Sequence, residues 1–322
     1  KVFELPRRDD VASTIAVVTA AQLPGLVATH QQVIMGTRKL VGYWFWELAD
    51  VPADQQYAIG LVDEIWAPTR FVREAYRSAT NKPVRLVPLP IPKPIVEAVD
   101  PAEFGLEPER FTFLVSFDHL SVMERKNPLG AIEAFRLAFP NGDEPVALLV
   151  KTINGERRPE ASERLAAAAA GDERVRIWDE HLSHQRHMAL IDASDALVSL
   201  HRSEGLGLHA ADAMWLGTPV IATRYSGTLD LMDDDCAALI DARLVPVRNG
   251  DGAYPGASFW AEPSLEQAAT AMLRLVEDPE YSGRLIAAAC QRRSADASRD
   301  DVGRVLARLT GAPGRRWVAL RR

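Results

Sequence analysis

Ser199–Asp230, SLHRSEGLGLHAADAMWLGTPVIATRYSGTLD, is the stretch that decides how the chain is read. It is entered from DALVSL (Asp195–Leu200), a short apolar run ending in polar residues, the pattern of a buried strand. Gly205 and Gly207 let the backbone turn sharply and approach a ligand closely, because neither carries a Cβ. The helix that follows is stopped by Gly217, with Pro219 two residues on, and PVIAT (Pro219–Thr223) is the next strand. Strand, Gly-rich turn and helix N-terminus together make an anion site, since free N–H groups and the helix dipole converge there. Glu204 precedes the turn and Asp212 lies within the helix. Carboxylates repel phosphate but accept hydrogen bonds from sugar hydroxyls. Phosphate and sugar hydroxyls side by side point to a nucleotide sugar.

Outward from this segment strands and helices alternate, which implies parallel sheets and an α/β fold. N-terminal strands are expected at Thr14–Ala20, Lys39–Leu48, Glu64–Thr69 and Pro83–Pro90, with helices around Pro52–Leu61 and Arg70–Ser78. PLPIPKP (Pro88–Pro94) reads as a stiff, extended linker, because proline fixes φ and blocks helix, and the domain boundary is placed there. A second series follows, with strands Phe111–Phe117, Val146–Thr152 and Val175–Asp179 alternating with helices Pro128–Ala138, Pro159–Ala170 and His184–Ala193. The opening segment completes it, and helix Leu265–Glu277 leads on to a helical tail. The expected division is a partial N-terminal domain over 1–92, a complete C-terminal domain over 93–300 and the tail over 301–322.

Composition narrows the class. The chain has 322 residues, 47% of them hydrophobic, enough for two domains with their own cores. A net charge of −7 speaks against nucleic acid as the main partner. Cys236 and Cys290 show neither a disulfide framework nor metal-ligand spacing, so a cytoplasmic location is expected. No apolar run is long enough to span a bilayer. GRRWVALRR (Gly314–Arg322) pairs four arginines with Trp317. On a helix it suits peripheral contact with an anionic membrane; a surface helix or a frayed terminus is the plainer reading.

The ERKNP turn (Glu124–Pro128) carries a second set of candidates. Arg125 and Lys126 fall just before a helix that starts near Pro128, and two cations at a helix N-terminus suit a diphosphate. Alone, such a pair is usually solvated on a surface turn. At the C-terminal edge of a strand, where α/β proteins bind ligands, it reads as functional. Asp118 and His119 follow the same strand and either line the cleft or cap the turn. Ser226 and Gly227 open the loop after PVIAT, where backbone can approach phosphates. Glu204 is either a buried acid paired with Arg202 or a sugar contact, and its place in the loop favours the second. Lys151 at a strand end reads as exposed, and Trp44 and Trp46 either face an acceptor or pack. His184 and His187 have helical spacing, but no acidic or Cys partner at ligand spacing makes them a metal site.

The Ser199–Asp230 segment resembles the donor motif of retaining glycosyltransferases of family four, which have the GT-B fold of two Rossmann-like domains. Their pattern is E-G-(F/L)-G-L followed by E-A-M-x-x-G-x-P-V-I-A-T, with two glutamates spaced E-x7-E. Glu204 fills the first position; Asp212 stands at the second, one methylene shorter. GYWFWELADVP (Gly42–Pro52), DEIWAPTRFVREAY (Asp63–Tyr76), FDHLSVMERKNPLGAIEAF (Phe117–Phe135) and SFWAEP (Ser258–Pro263), the last expected as a turn, extend the likeness from about Lys39 onward. Thr69 stands where the family usually has Ser, and the adjacent Arg125 and Lys126 replace a more widely spaced pair, which makes Lys126 the better match. The family's first strand and Gly-rich loop are not found, so the chain reads as beginning inside a domain.

The resemblance implies transfer of a sugar from a nucleoside-diphosphate sugar to an acceptor hydroxyl with retention of configuration. The acceptor would be a glycan, a lipid-linked sugar or a small molecule. No cofactor is expected, and the transfer is expected to be metal-independent. Lys126, Arg125 and the amides near Gly207 would stabilise the leaving diphosphate, Glu204 would orient the donor sugar, and Asp212 would hold the ribose. Leu206, Leu208, Ser226, Gly227 and Asp118 complete the expected donor site. The rival readings are a catalytically impaired nucleotide-sugar-binding module and a sugar-phosphate enzyme on the same fold, an epimerase or phosphorylase.

Overall fold

The computed structural model describes residues 13–30, 39–248, 254, 257–299 and 319–320. The chain divides into two compact units, Lys1–Pro90 with Ser298–Arg322, and Ile91–Ala297.

In the first unit β1 (Thr14–Val17), β2 (Leu40–Tyr43), β3 (Glu64–Ala67) and β4 (Val84–Leu86) form a parallel sheet. β13 (Ala319–Leu320) adds to its edge, parallel to β1, so at these residues the tail is strand where a helix was expected. The rest of the Arg-rich tail lies outside the described residues. β2 ends at Tyr43, well short of the predicted Leu48. Trp44 and Trp46 are buried, Trp44 against the ring of Tyr76 at 5.4 Å, so the aromatic run records burial rather than strand pairing. Thr69 caps the helix Arg70–Ala79 by accepting the Val72 N–H at 3.3 Å.

The second unit is built on a six-stranded sheet in the order β10-β9-β8-β5-β6-β7. Its strands are β5 (Phe111–Asp118), β6 (Val146–Ile153), β7 (Val175–Asp179), β8 (Ala196–Ser199), β9 (Val220–Thr223) and β10 (Ala238–Ile240), all parallel. The strands read as apolar runs because a parallel sheet is covered on both faces. Phe113, Phe135, Phe139 and Leu148 anchor the core between the sheet and the helix Pro128–Ala138, with the Phe135 and Phe139 rings 5.2 Å apart. The order is that of a doubly wound Rossmann-like sheet, with its reversal between β5 and β8. SFWAEP is not a turn: Phe259–Pro263 is β12, antiparallel to β11 (Ala242–Pro246) in a separate two-stranded sheet. The aromatic Phe259 and Trp260 suit a strand, and the Ala261 N–H also reaches the Arg202 carbonyl at 2.8 Å.

Phe113 is fully buried among these rings. Phe113→Ala is expected to cost the second unit about 3–5 kcal/mol, read as a lower urea midpoint at unchanged slope.

Candidate active site

The site follows from the sheet order. The chain leaves β5 toward β6 and β7 on one side and returns through β8 on the other, so the segments after β5 and β8 emerge together at the reversal. β5 pairs with β6 along eight residues but with β8 only at Phe113↔Ala196 and Leu114↔Leu197. Strands that part early leave a crevice at their carboxyl ends, the usual ligand position in such sheets. One backbone bond joins its two walls, from the Arg202 N–H to the Arg125 carbonyl at 2.7 Å.

The wall after β5 is the single helical turn Met123–Lys126. Val122 enters it at φ 62°, a left-handed conformation that a β-branched residue adopts only at a cost of about 1–3 kcal/mol. Asn127 leaves it at φ 55°, donates to the Leu200 carbonyl at 3.0 Å and caps the next helix. Held at both ends, the turn directs Arg125 and Lys126 to one acceptor. Lys126 Nζ bonds Glu204 Oε1, and Arg125 Nη1 lies 3.1 Å from the same oxygen while donating to the Ser203 carbonyl at 2.8 Å. Glu204 Oε2 receives no hydrogen bond from the described residues. Arg202 points elsewhere: its guanidinium forks onto Glu262 at 2.6 and 2.9 Å, so the alternative pairing with Glu204 is not formed.

The opposite wall is the Gly-rich loop after β8, braced by the loop after β9. The Glu204 N–H donates to Ser226 Oγ at 2.8 Å, and the Gly227 N–H donates to the Glu204 carbonyl at 2.9 Å. A Cβ on Gly227 would lie 2.1 Å from the Gly205 oxygen, so the two backbones meet without room for a side chain. Gly207 turns the loop into the helix Leu208–Leu216 at φ 90°. Leu206 is buried beneath the loop, whereas Leu208 is 47% exposed at the helix start. The structure thus gathers Arg125, Lys126, Glu204, Gly205, Ser226 and Gly227 into one bonded group. Asp118 stands apart from it, since its Oδ1 accepts from the Leu120 N–H and from Asn154 Nδ2, each at 2.8 Å, and caps the turn.

Burial pushes the Glu204 carboxyl up, but the opposing charges of Lys126 and Arg125 outweigh it and hold the group well below the usual carboxylate range. Asp212 has no such support. It is only 9% exposed and makes no hydrogen bond or ion pair with the described residues. Burial raises its carboxyl to about 6, against the weaker pull of His184 and Arg293. Three histidines line the same region. His201 is fully buried, its ring nitrogens without hydrogen-bond partners among the described residues. His187 accepts from or donates to Ser116 Oγ at 2.9 Å and packs edge-on against His209 at 4.9 Å. Desolvation is the main cause that lowers His187 to about 3 and His201 and His209 to about 4. Lys151, expected to be exposed, is buried under Trp178 and donates to the Thr152 carbonyl at 2.7 Å. The Ser116, His187 and His209 group has no sequence signal, because its members come from three separate elements.

A family model described as "Family 4 Glycosyltransferase in conflict systems" matches residues 69–300, more than two thirds of the chain. The chain belongs to this family. As a family-4 glycosyltransferase it shares the GT-B fold with solved structures at low sequence identity. TarM of S. aureus superposes with a TM-score of 0.65 at 13% identity, over 93% of this chain and 55% of TarM. The chain therefore spans about half the length of TarM. HepE of Anabaena gives 0.63 at 15% identity, over 93% of this chain and 77% of HepE. Sucrose-phosphate synthase from Thermosynechococcus elongatus gives 0.64 at 18%, over 94% and 74% respectively. No curated protein matches the sequence.

Two outcomes follow for this glycosyltransferase. Asp212 binds its proton more tightly folded than unfolded, so its penalty is absent below about pH 4 and complete above about pH 6. Asp212→Asn should therefore raise the melting temperature at pH 7, by about 1–3 kcal/mol of stability, and leave it unchanged at pH 4. The three desolvated histidines act with the opposite sign. Their folded values lie below the unfolded 6.5, so stability is complete above pH 6.5 and falls as pH drops toward 4. Thermal melts from pH 7.5 to 4 should show that decline, shallower in His209→Gln.

Proposed function

We propose that the chain transfers a sugar from a nucleoside diphosphate to an acceptor hydroxyl with retention of anomeric configuration. The observation that carries this reading is the shared oxygen of Glu204. One carboxylate oxygen compensates both Lys126 and Arg125 at the switch point, and Oε2 is unbonded by the described residues. A donor diphosphate would draw the two cations onto its oxygens, where they stabilise the charge that grows as the glycosidic bond breaks. Glu204, relieved of them, would then accept hydrogen bonds from the donor sugar and orient it. Asp212, unpaired by hydrogen bonds among the described residues, would find in the ribose hydroxyls the donors it lacks. The leaving phosphate oxygen would take the acceptor proton, so no protein base is required.

The related folds support the choice of nucleotide. HepE was solved in complex with UDP and glucose, and a TarM variant with UDP and alpha-GlcNAc-glycerol. UDP is therefore the first nucleotide to test here. Calorimetric titration with UDP, GDP and ADP should show selective binding to one, weakened about tenfold or more by Lys126→Ala. With the matching nucleotide sugar and an acceptor, NMR of the product should show the donor's anomeric configuration. An inverted product, or turnover unaffected by Glu204→Ala, would refute the mechanism.

A further inference from the structure

A second cavity, of about 520 Å³, lies beside the Met123–Lys126 turn but has neither Lys126 nor Glu204 in its wall. Its volume is that of a small-molecule pocket. Six charged side chains line it: Arg164, Arg202, Arg243 and Arg248 against Glu124 and Glu262. Both carboxylates are already committed. Glu124 takes Arg164 Nη1 at 2.6 Å, and Glu262 is forked by Arg202. Arg243 stands directly opposite Glu262 across the β11–β12 hairpin, yet that carboxylate is turned to Arg202 instead. Arg243 and Arg248 thus have no acidic partner among the described residues. Among the described residues, two positive charges in the cavity wall are left without an acidic partner, on a chain whose net charge is −7.

Apart from Asn127, the remaining wall is apolar, with Met123, Leu129, Val245, Pro246 and the buried Trp260. Two guanidinium groups beside an apolar surface suit a ligand with a doubly charged oxyanion at one end and an organic body at the other. A phosphate monoester carries about −1.5 to −2 at neutral pH and presents oxygens in the geometry a guanidinium fork matches; a single carboxylate carries half that charge. We infer that this cavity binds an organic phosphate monoester, held by Arg243 and Arg248, at a site separate from the Glu204 cluster.

The probe is glycerol 3-phosphate, titrated calorimetrically into the full chain, with glycerol and inorganic phosphate as comparisons. Saturable binding is expected for glycerol 3-phosphate, none for glycerol, and weaker binding for inorganic phosphate. The double variant R243Q/R248Q should weaken it about tenfold or more, and both positions are exposed, so folding should be preserved. Lys126→Ala should leave it unchanged, whatever the nucleotide titrations give. The inference is overturned if glycerol 3-phosphate does not bind, or if R243Q/R248Q binds it as well as the natural chain. Loss of binding in Lys126→Ala with retention in R243Q/R248Q would place the phosphate at the Glu204 cluster and overturn it equally. Equal affinity for inorganic phosphate would remove the organic body from the proposal.

Discussion

Glu204 is the constraint around which the second unit is arranged. A carboxylate this buried is costly unless paired, and two cations converging on one of its oxygens keep it ionised. Every nearby oddity serves that convergence. Val122 accepts an unfavourable φ so that Arg125 and Lys126 fall on one turn, and Asn127 and the Arg202 N–H tie that turn to the strand that delivers Glu204. Removing Glu204 would strip both cations of their shared acceptor, whereas removing Lys126 leaves Arg125 3.1 Å from the same oxygen.

That convergence depends on topology more than on local sequence. Residues 125 and 204 are far apart along the chain and meet because β5 and β8 are neighbours at the reversal of strand order. Any ligand engaging both therefore bridges the two halves of the sheet. The neutral histidines deepen the effect: with His187, His201 and His209 uncharged, the cations beside Glu204 remain the dominant field in the crevice.

Most strands of the two parallel sheets are readable because strands covered on both faces are continuous apolar runs, as in Phe111–Phe117 and Val146–Thr152, whereas the short edge strands β10 and β13 are not. The Gly-rich loop and its carboxylate were readable for a similar reason, since Gly205, Gly207 and Gly217 occupy positions with few substitutes. What was hidden lies between elements. Nothing local to Arg202 says that it forks onto Glu262, sixty residues away, rather than Glu204 two residues on. SFWAEP, which brings Glu262 there, reads as a turn in sequence because its strand is short and its partner β11 lies across a long connection. Lys151 looked exposed because a lone lysine at a strand end usually is; burial under Trp178 came from the neighbouring strand. Asp118 had two readings, of which the turn cap is the commoner for Asp after a strand, and the amide of Leu120 makes that cap.

The contact of Gly227 with the Gly205 carbonyl also limits how the crevice can diversify. With two main chains in touch, no side chain is admissible at 227, and Gly207 at φ 90° tolerates little better. The loop is thus a rigid mould with few variable surfaces. Leu208, exposed at the start of the helix, and the partly exposed His209 beside it are the places where a substitution can reshape the lip and leave its backbone intact. A lineage built on this frame would shift its preferences through those two side chains while the glycines stay fixed.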